Sequence, residues 1–335
     1  MNKQEAVVTV GSGKYRYTPV PEWARLPEGW SFVEVVGVAV DSRDRVFIIT
    51  REDPRVIVYG PDGAFQASWG EDLFTARTHG ITIGPDDAVY CVDEGNHVVY
   101  RFTPDGTLRQ TIGSLGQASD TGYDGRSLAS ITHGGPPFNR PTNLAVAPGG
   151  DLYVTDGYGN ACVHRFSAEG RLLRSWGEPG AGPGQFNLPH GIAVLADGRV
   201  LVADRENDRI QLFDPEGKYL DQWTQVQRPT NIALDREGRI YVSELWWRAG
   251  DRPPAGDAIA EDRPGRVSVL DQGGAVLARW GGPDPCAPGN FAAPHDICVD
   301  SRGDVYVAEV TWTFAGSAGL VPPDCHTLQK FTRGA

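Results

Sequence analysis

No run of 18 apolar residues occurs anywhere in the 335-residue sequence, so no helical membrane span is expected. Residues 1–20 alternate polar and apolar side chains and lack the basic start and apolar centre of a secretory leader. Basic residues are outnumbered: 31 Lys and Arg stand against 43 Asp and Glu, a net charge of −12. Without a general basic surface, neither nucleic acid nor an anionic membrane is expected as a partner. Cysteine is sparse. The five residues Cys91, Cys162, Cys286, Cys298 and Cys325 are an odd number with no CxxC pair, which fits a reducing compartment better than a disulfide framework and predicts a cytoplasmic protein.

Glycine and proline are abundant instead, 42 and 25 residues, with no collagen-like period. Many tight turns between short strands are implied, hence an all-β chain. The turns recur in a phrase: a small apolar strand, a polar turn with Gly or Asp, and a second strand ending in an acid. The clearest copies run from Pro141 to Asp156 and from Pro189 to Asp204; others begin at Thr78, Pro229 and Pro294, and a weaker one near Val35. The second position of each copy is Val36, His79, Thr142, His190, Thr230 or His295, and 14 residues on stand Thr50, Asp93, Asp156, Asp204, Glu244 and Glu309. Six copies, each about four strands long, predict a six-bladed β-propeller. The whole chain, 1–335, is read as one domain, with segment 1–30 helping to close the ring through a strand at 14–19 paired with the last strand at 327–332.

In such a ring the first strand of each blade lines the central channel. Histidine holds the second position in blades two, four and six only, so alternate blades, a third of a turn apart, aim His79, His190 and His295 at the axis. Three imidazoles with an open fourth position suit catalytic zinc, although imidazole also serves iron, copper and nickel. His97, His133, His164 and His326 fall off this register and read as surface or packing residues, with His133 the nearest of them to the site. The ring of acids either supports metal-bound imidazoles or caps the turns after the second strands; the sequence favours neither. Arg51 and Arg205 follow that ring directly, and Tyr158 lies one residue further. Phenols lose protons more readily among positive charges, which marks Tyr158 as a general-base candidate, and the arginines suit a substrate carboxylate. Trp69, Trp176, Trp223 and Trp280 close blades and read as packing between them. Long segments at 113–140, 177–188, 246–265, 281–293 and 310–324 all emerge on the histidine face, where loops of such length call for a function.

The phrases at 141–146 (PTNLAV), 154–160 (VTDGYGN), 183–191 (PGQFNLPHG), 202–211 (VADRENDRIQ) and 294–297 (PHDI) resemble the peptidyl-α-hydroxyglycine α-amidating lyases, NHL-type propellers. The resemblance runs from about Val35 onward. It implies a zinc-dependent lyase that cleaves the C–N bond of an N-acyl hemiaminal into an amide and an aldehyde such as glyoxylate. His79, His190 and His295 match the family's zinc ligands, Tyr158 its proposed base, and Arg51 and Arg205 its active-site arginines. A structural calcium would lie at Val38, Ile81 and Asp296, on two backbone carbonyls and the carboxylate. The chain departs from the family where disulfide partners are replaced by Asn139 with Gly159 and by Leu201 with Leu212, and where a methionine is replaced by Ala293. Trp246, Trp247, Trp312 and Phe314 are expected to form an apolar lid or to pack their own loops. The implied partner is a small molecule, carboxylate-bearing or apolar. Two alternatives stand beside the lyase: a metal-dependent hydrolase of an amide, hydrazide or lactone on the same ring, and an NHL interaction module with no chemistry.

Overall fold

The second strand of every blade is buried at every position, from Val46–Thr50 in the first blade to Val305–Glu309 in the last. A strand covered on both faces must be apolar on both, which explains why these segments read as continuous rather than alternating apolar runs. The computed structural model describes residues 8–53, 55–254 and 256–334. It is a six-bladed β-propeller with NHL repeats, five sheets of four strands and one of five. Each blade runs antiparallel from the channel outward, as in Pro189–Val194, Val200–Asp204, Arg209–Phe213 and Tyr219–Trp223.

Outermost strands are exposed except where they close. Phe65–Trp69 is buried only at Trp69, which stacks 4.8 Å from Phe102 of the next blade. The room for that ring comes from Gly106 at φ +85°, whose missing Cβ would lie 2.5 Å from Trp69 Cγ. Gly217 stands in the same relation to Trp176, and Gly274 to Trp223. The tryptophans are thus packing residues between blades, as their position predicts.

The ring closes by pairing Tyr15–Val20 with Leu328–Arg333, in a sheet that also holds Val10–Ser12. This is one residue beyond the expected span at each strand; residues 1–7 of the closing segment lie outside the described residues. The cysteine reading needs correction. Cys286 and Cys325 form a disulfide, while Cys91, Cys162 and Cys298 are free. The paired residues sit in or beside two different insertions, so no repeat register announces their contact, and spacing alone could not have shown it. The family's two disulfide positions are nevertheless neighbours here: Leu201 pairs with Leu212 across a ladder, and a Cβ on Gly159 would press on Asn139.

Candidate metal centre

In all six blades the ladder between the first two strands is irregular at the second position of the phrase. Such bulges re-aim a side chain, and here they turn the position toward the axis. The imidazoles of His79, His190 and His295 form a near-equilateral triangle, with ring centroids 4.7, 4.6 and 4.8 Å apart. Each ring is held from behind by the next blade. His79 Nδ1 donates to the Thr142 carbonyl at 2.6 Å, His190 Nδ1 to Thr230 at 2.7 Å and His295 Nδ1 to Val36 at 2.7 Å. A carbonyl only accepts, so Nδ1 carries the proton and the lone pair of Nε2 points inward. Two glycines permit this approach: a Cβ at Gly80 or Gly191 would lie 2.9 or 2.5 Å from the same Thr142 and Thr230 oxygens.

All three rings are buried. Burial, together with the neighbouring imidazoles and arginines, holds His79 and His190 well below the usual imidazole range, and burial with the charges of Arg51 and Arg205 pushes His295 down to about 3. Neutral imidazoles with free inward lone pairs are the metal-binding form. Their ligand atoms all lie within 4.8 Å of one another, and bonds of about 2.0–2.1 Å to one centre would draw them to roughly 3.4 Å. The nitrogen-only donor set and the converging lone pairs fit a transition metal. Among the described residues this is the one such cluster.

The Tyr158 hydroxyl reaches two of the rings, 3.3 Å from His79 Nε2 and 3.2 Å from His190 Nε2, and accepts from Arg205 at 3.1 Å. Arg205 is fixed by Glu206, which accepts from its Nε at 2.8 Å and from Arg228 at 2.9 Å. Arg51 does not touch the rings but contributes to the charge acting on His79 and His295; it donates to Glu34 at 2.7 Å and to Thr313 at 3.2 Å. Glu34, Glu206, Arg228 and Thr313 were not singled out from sequence. Glu206 had a signal, since it adjoins Arg205; Glu34 and Thr313 had none, because 17 and 262 residues separate them from Arg51.

The ring of acids supports loops rather than the imidazoles of His79, His190 and His295. Asp156 accepts from Asn139 N, Asp204 from Asn187 N, Glu244 from Gln227 N and Glu309 from Ala292 N, each 17 residues upstream, and Asp93 accepts from Thr75 N. Each acid ties down the chain that leads into its blade. The off-register histidines are structural as expected: His164 is buried beside Asp156 and Ser175, His97 accepts from Arg140 N, His326 pairs with Glu309 and His133 bonds Thr132.

Beneath the histidines lie Val38, Ile81 and Asp296, grouped around Gly37. The Asp296 carboxylate accepts from Val38 N at 3.0 Å, from Ile297 N at 2.7 Å and from Asn231. Burial without a cationic partner pushes it up to about 7. The nearby Asn231 Oδ1 is buried and accepts no hydrogen bond. An orphan oxygen beside an uncompensated carboxyl fits a hard cation, though the donors already on Asp296 occupy part of its capacity.

The lid residues divide. Trp247 is buried, with Nε1 on Asp208; Trp246 packs on Phe314 at 5.6 Å and under Arg248; Trp312 is 47% exposed. Ala293 is fully buried in a cluster with Leu245 and Val310, against which Phe314 packs, so apolar neighbours occupy the space around this small side chain.

The NHL-repeat profile matches residues 138–166 and 186–213. Human NHL repeat-containing protein 3 is 32% identical over 311 residues, 86% of this chain and 80% of that protein. Peptidyl-α-hydroxyglycine α-amidating lyase 1 of Drosophila melanogaster is 29% identical over 279 residues, 78% of this chain and 47% of that protein. In fold, an inactive variant of virginiamycin B lyase from Staphylococcus aureus superposes with a TM-score of 0.57 over 94% of this chain and 98% of that one, at 14% identity. With its repeats, its ring of blades and this extent of similarity, the chain belongs to the family of NHL-repeat propellers that includes NHL repeat-containing protein 3.

Proposed function

We propose that the chain is a metal-dependent carbon–nitrogen lyase that splits an N-acyl hemiaminal into an amide and an aldehyde such as glyoxylate. One observation carries the reading: a phenol hydroxyl stands within 3.3 Å of two inward imidazole nitrogens and 3.1 Å from the Arg205 guanidinium. A binding module does not need that constellation. His79, His190 and His295 would hold zinc or another transition metal, which supplies Lewis acidity toward a substrate oxygen.

Tyr158 takes the proton of the carbinol hydroxyl. The oxygen's electron pair then forms the aldehyde C=O as the C–N bond breaks, and the amide nitrogen leaves with the bonding pair. The proton returns from Tyr158 to that nitrogen, so no water is consumed. Arg205 donates to the Tyr158 oxygen and orients it, and Glu206 keeps its guanidinium in place. Arg51 is assigned to the substrate carboxylate, with Glu34 and Thr313 fixing its approach. Val38, Ile81 and Asp296 are assigned to a structural calcium.

Metal analysis by mass spectrometry, on protein purified without added metal, tests the centre: about one transition-metal ion per chain is expected, and it should be lost in His190→Ala. Glyoxylate release from an N-acyl-α-hydroxyglycine tests the reaction. Solvent oxygen in a carboxylic acid released in place of the amide would assign the hydrolase instead.

A further inference from the structure

A cavity of about 710 Å³ opens on the histidine face between the insertions of the third and fifth blades, within the range of small-molecule sites. It lies outside the metal centre, yet its inner wall is chain-adjacent to that centre on three sides. Asn160 follows Tyr158 by two residues, Leu188 precedes His190 by two, and Glu206 follows Arg205 directly. Glu206 also bonds Arg205, which bonds the Tyr158 hydroxyl. One layer of side chains therefore faces the metal centre on one side and the groove on the other. The cavities within the channel, by contrast, run from Val38, Ile81 and Asn231 beneath the histidines to Val40, Val146, Leu234 and Val299 at its other end.

The walls specify the occupant. Leu128, Ile131, Phe186, Leu188, Trp247 and Pro254 supply a mainly apolar lining. Asn187 and Arg252 apart, the polar side chains among them are already engaged. Asn160 bonds Gly135 N, Ala161 N and Asp156; Asn207 bonds Gly180 O and Asp204. Glu206 is neutralised by two arginines, and Arg228 lies against Trp247 at 4.5 Å. The apolar stretch between them offers a polar ligand little to bond, while an apolar one displaces only water there. We propose that this groove is the acyl subsite and that the substrate carries a large apolar acyl group, running from the scissile nitrogen past Arg205 and onto Leu188 and Trp247. This rests on the lyase reading for the identity of the scissile bond.

Calorimetry on the full chain tests it, using N-acetyl-, N-hexanoyl- and N-decanoylglycine and the corresponding primary amides. Binding should tighten about three- to fourfold per added methylene. Ala129→Trp and Ala181→Trp, on separate and exposed parts of the wall, should each flatten that dependence. Affinity independent of chain length in the wild type, or a dependence that persists in both variants, overturns the subsite. Glyoxylate assays separate the two ideas. Length-dependent binding without glyoxylate release leaves the groove and removes the lyase, whereas release without length dependence does the reverse.

Discussion

Tyr158 is the residue on which the chemistry turns, because its hydroxyl touches two histidines and Arg205 at once. Tyr158→Phe removes the proton acceptor but keeps the ring's packing, so kcat should fall by roughly 10²–10⁴ while metal content stays at the wild-type level; stopped assays with parallel metal analysis check both. A second titratable group acts on stability instead. Burial lowers the affinity of His326 for a proton, but the Glu309 carboxylate 2.8 Å away more than offsets this, and its pKa is raised. A raised folded-state value means the charged pair stabilises fully below the ordinary imidazole value near 6.5 and is lost as pH climbs through the folded value. His326→Gln should therefore cost roughly 1–2 kcal/mol at pH 5.5 and progressively less by pH 9, read from denaturant melts across that window. Of the residues now grouped at the centre, the histidines, Tyr158 and both arginines were legible because each holds a fixed count from a repeated phrase. Thr313 was not, since nothing local marks a residue whose partner lies in another blade, nor was Glu34, which stands 17 residues before Arg51 in the same blade with no repeated phrase to mark it.

Among the elements, the short helix Thr311–Phe314 links the two arginine networks. Thr313 bonds both Arg51 and Glu34, and Phe314 lies under Arg228, which holds Glu206. The segment is tied at its far end by the Cys286–Cys325 bridge, 39 residues apart in sequence. Closing a loop of that length is worth about 4 kcal/mol on a chain-entropy estimate. Cys325→Ser is expected to lose 2–4 kcal/mol of stability and, by loosening Thr313, to raise KM for a carboxylate substrate more than it lowers kcat. An unchanged KM would show that Arg51 is held by Glu34 alone. The expectation of free thiols failed here for an elementary reason: a disulfide joins insertions, and insertions are where the repeat carries no information.

For the whole molecule, stability depends on closing the ring. Tyr17 is fully buried, packs 5.1 Å from Trp280 and bonds Tyr241, so the N-terminal strand joins the last blade to the fifth as well as completing its own sheet. A chain lacking residues 1–20 leaves Leu328–Arg333 as an open edge; it should melt well below the full chain and be cut by protease in the last blade, as limited proteolysis with mass spectrometry would reveal. The sequence by itself determined the number of blades, the trigonal placement of three histidines and the face on which the long loops gather. These follow from counting, because identical phrases fold into identical positions and the closed ring relates them by rotation. Only the tertiary structure decided which carbonyls orient the imidazoles, that the acids anchor incoming chain rather than histidines, which cysteines pair, and where the apolar groove opens. Those features depend on contacts between blades and between insertions, where sequence separation is large and no periodicity connects the partners.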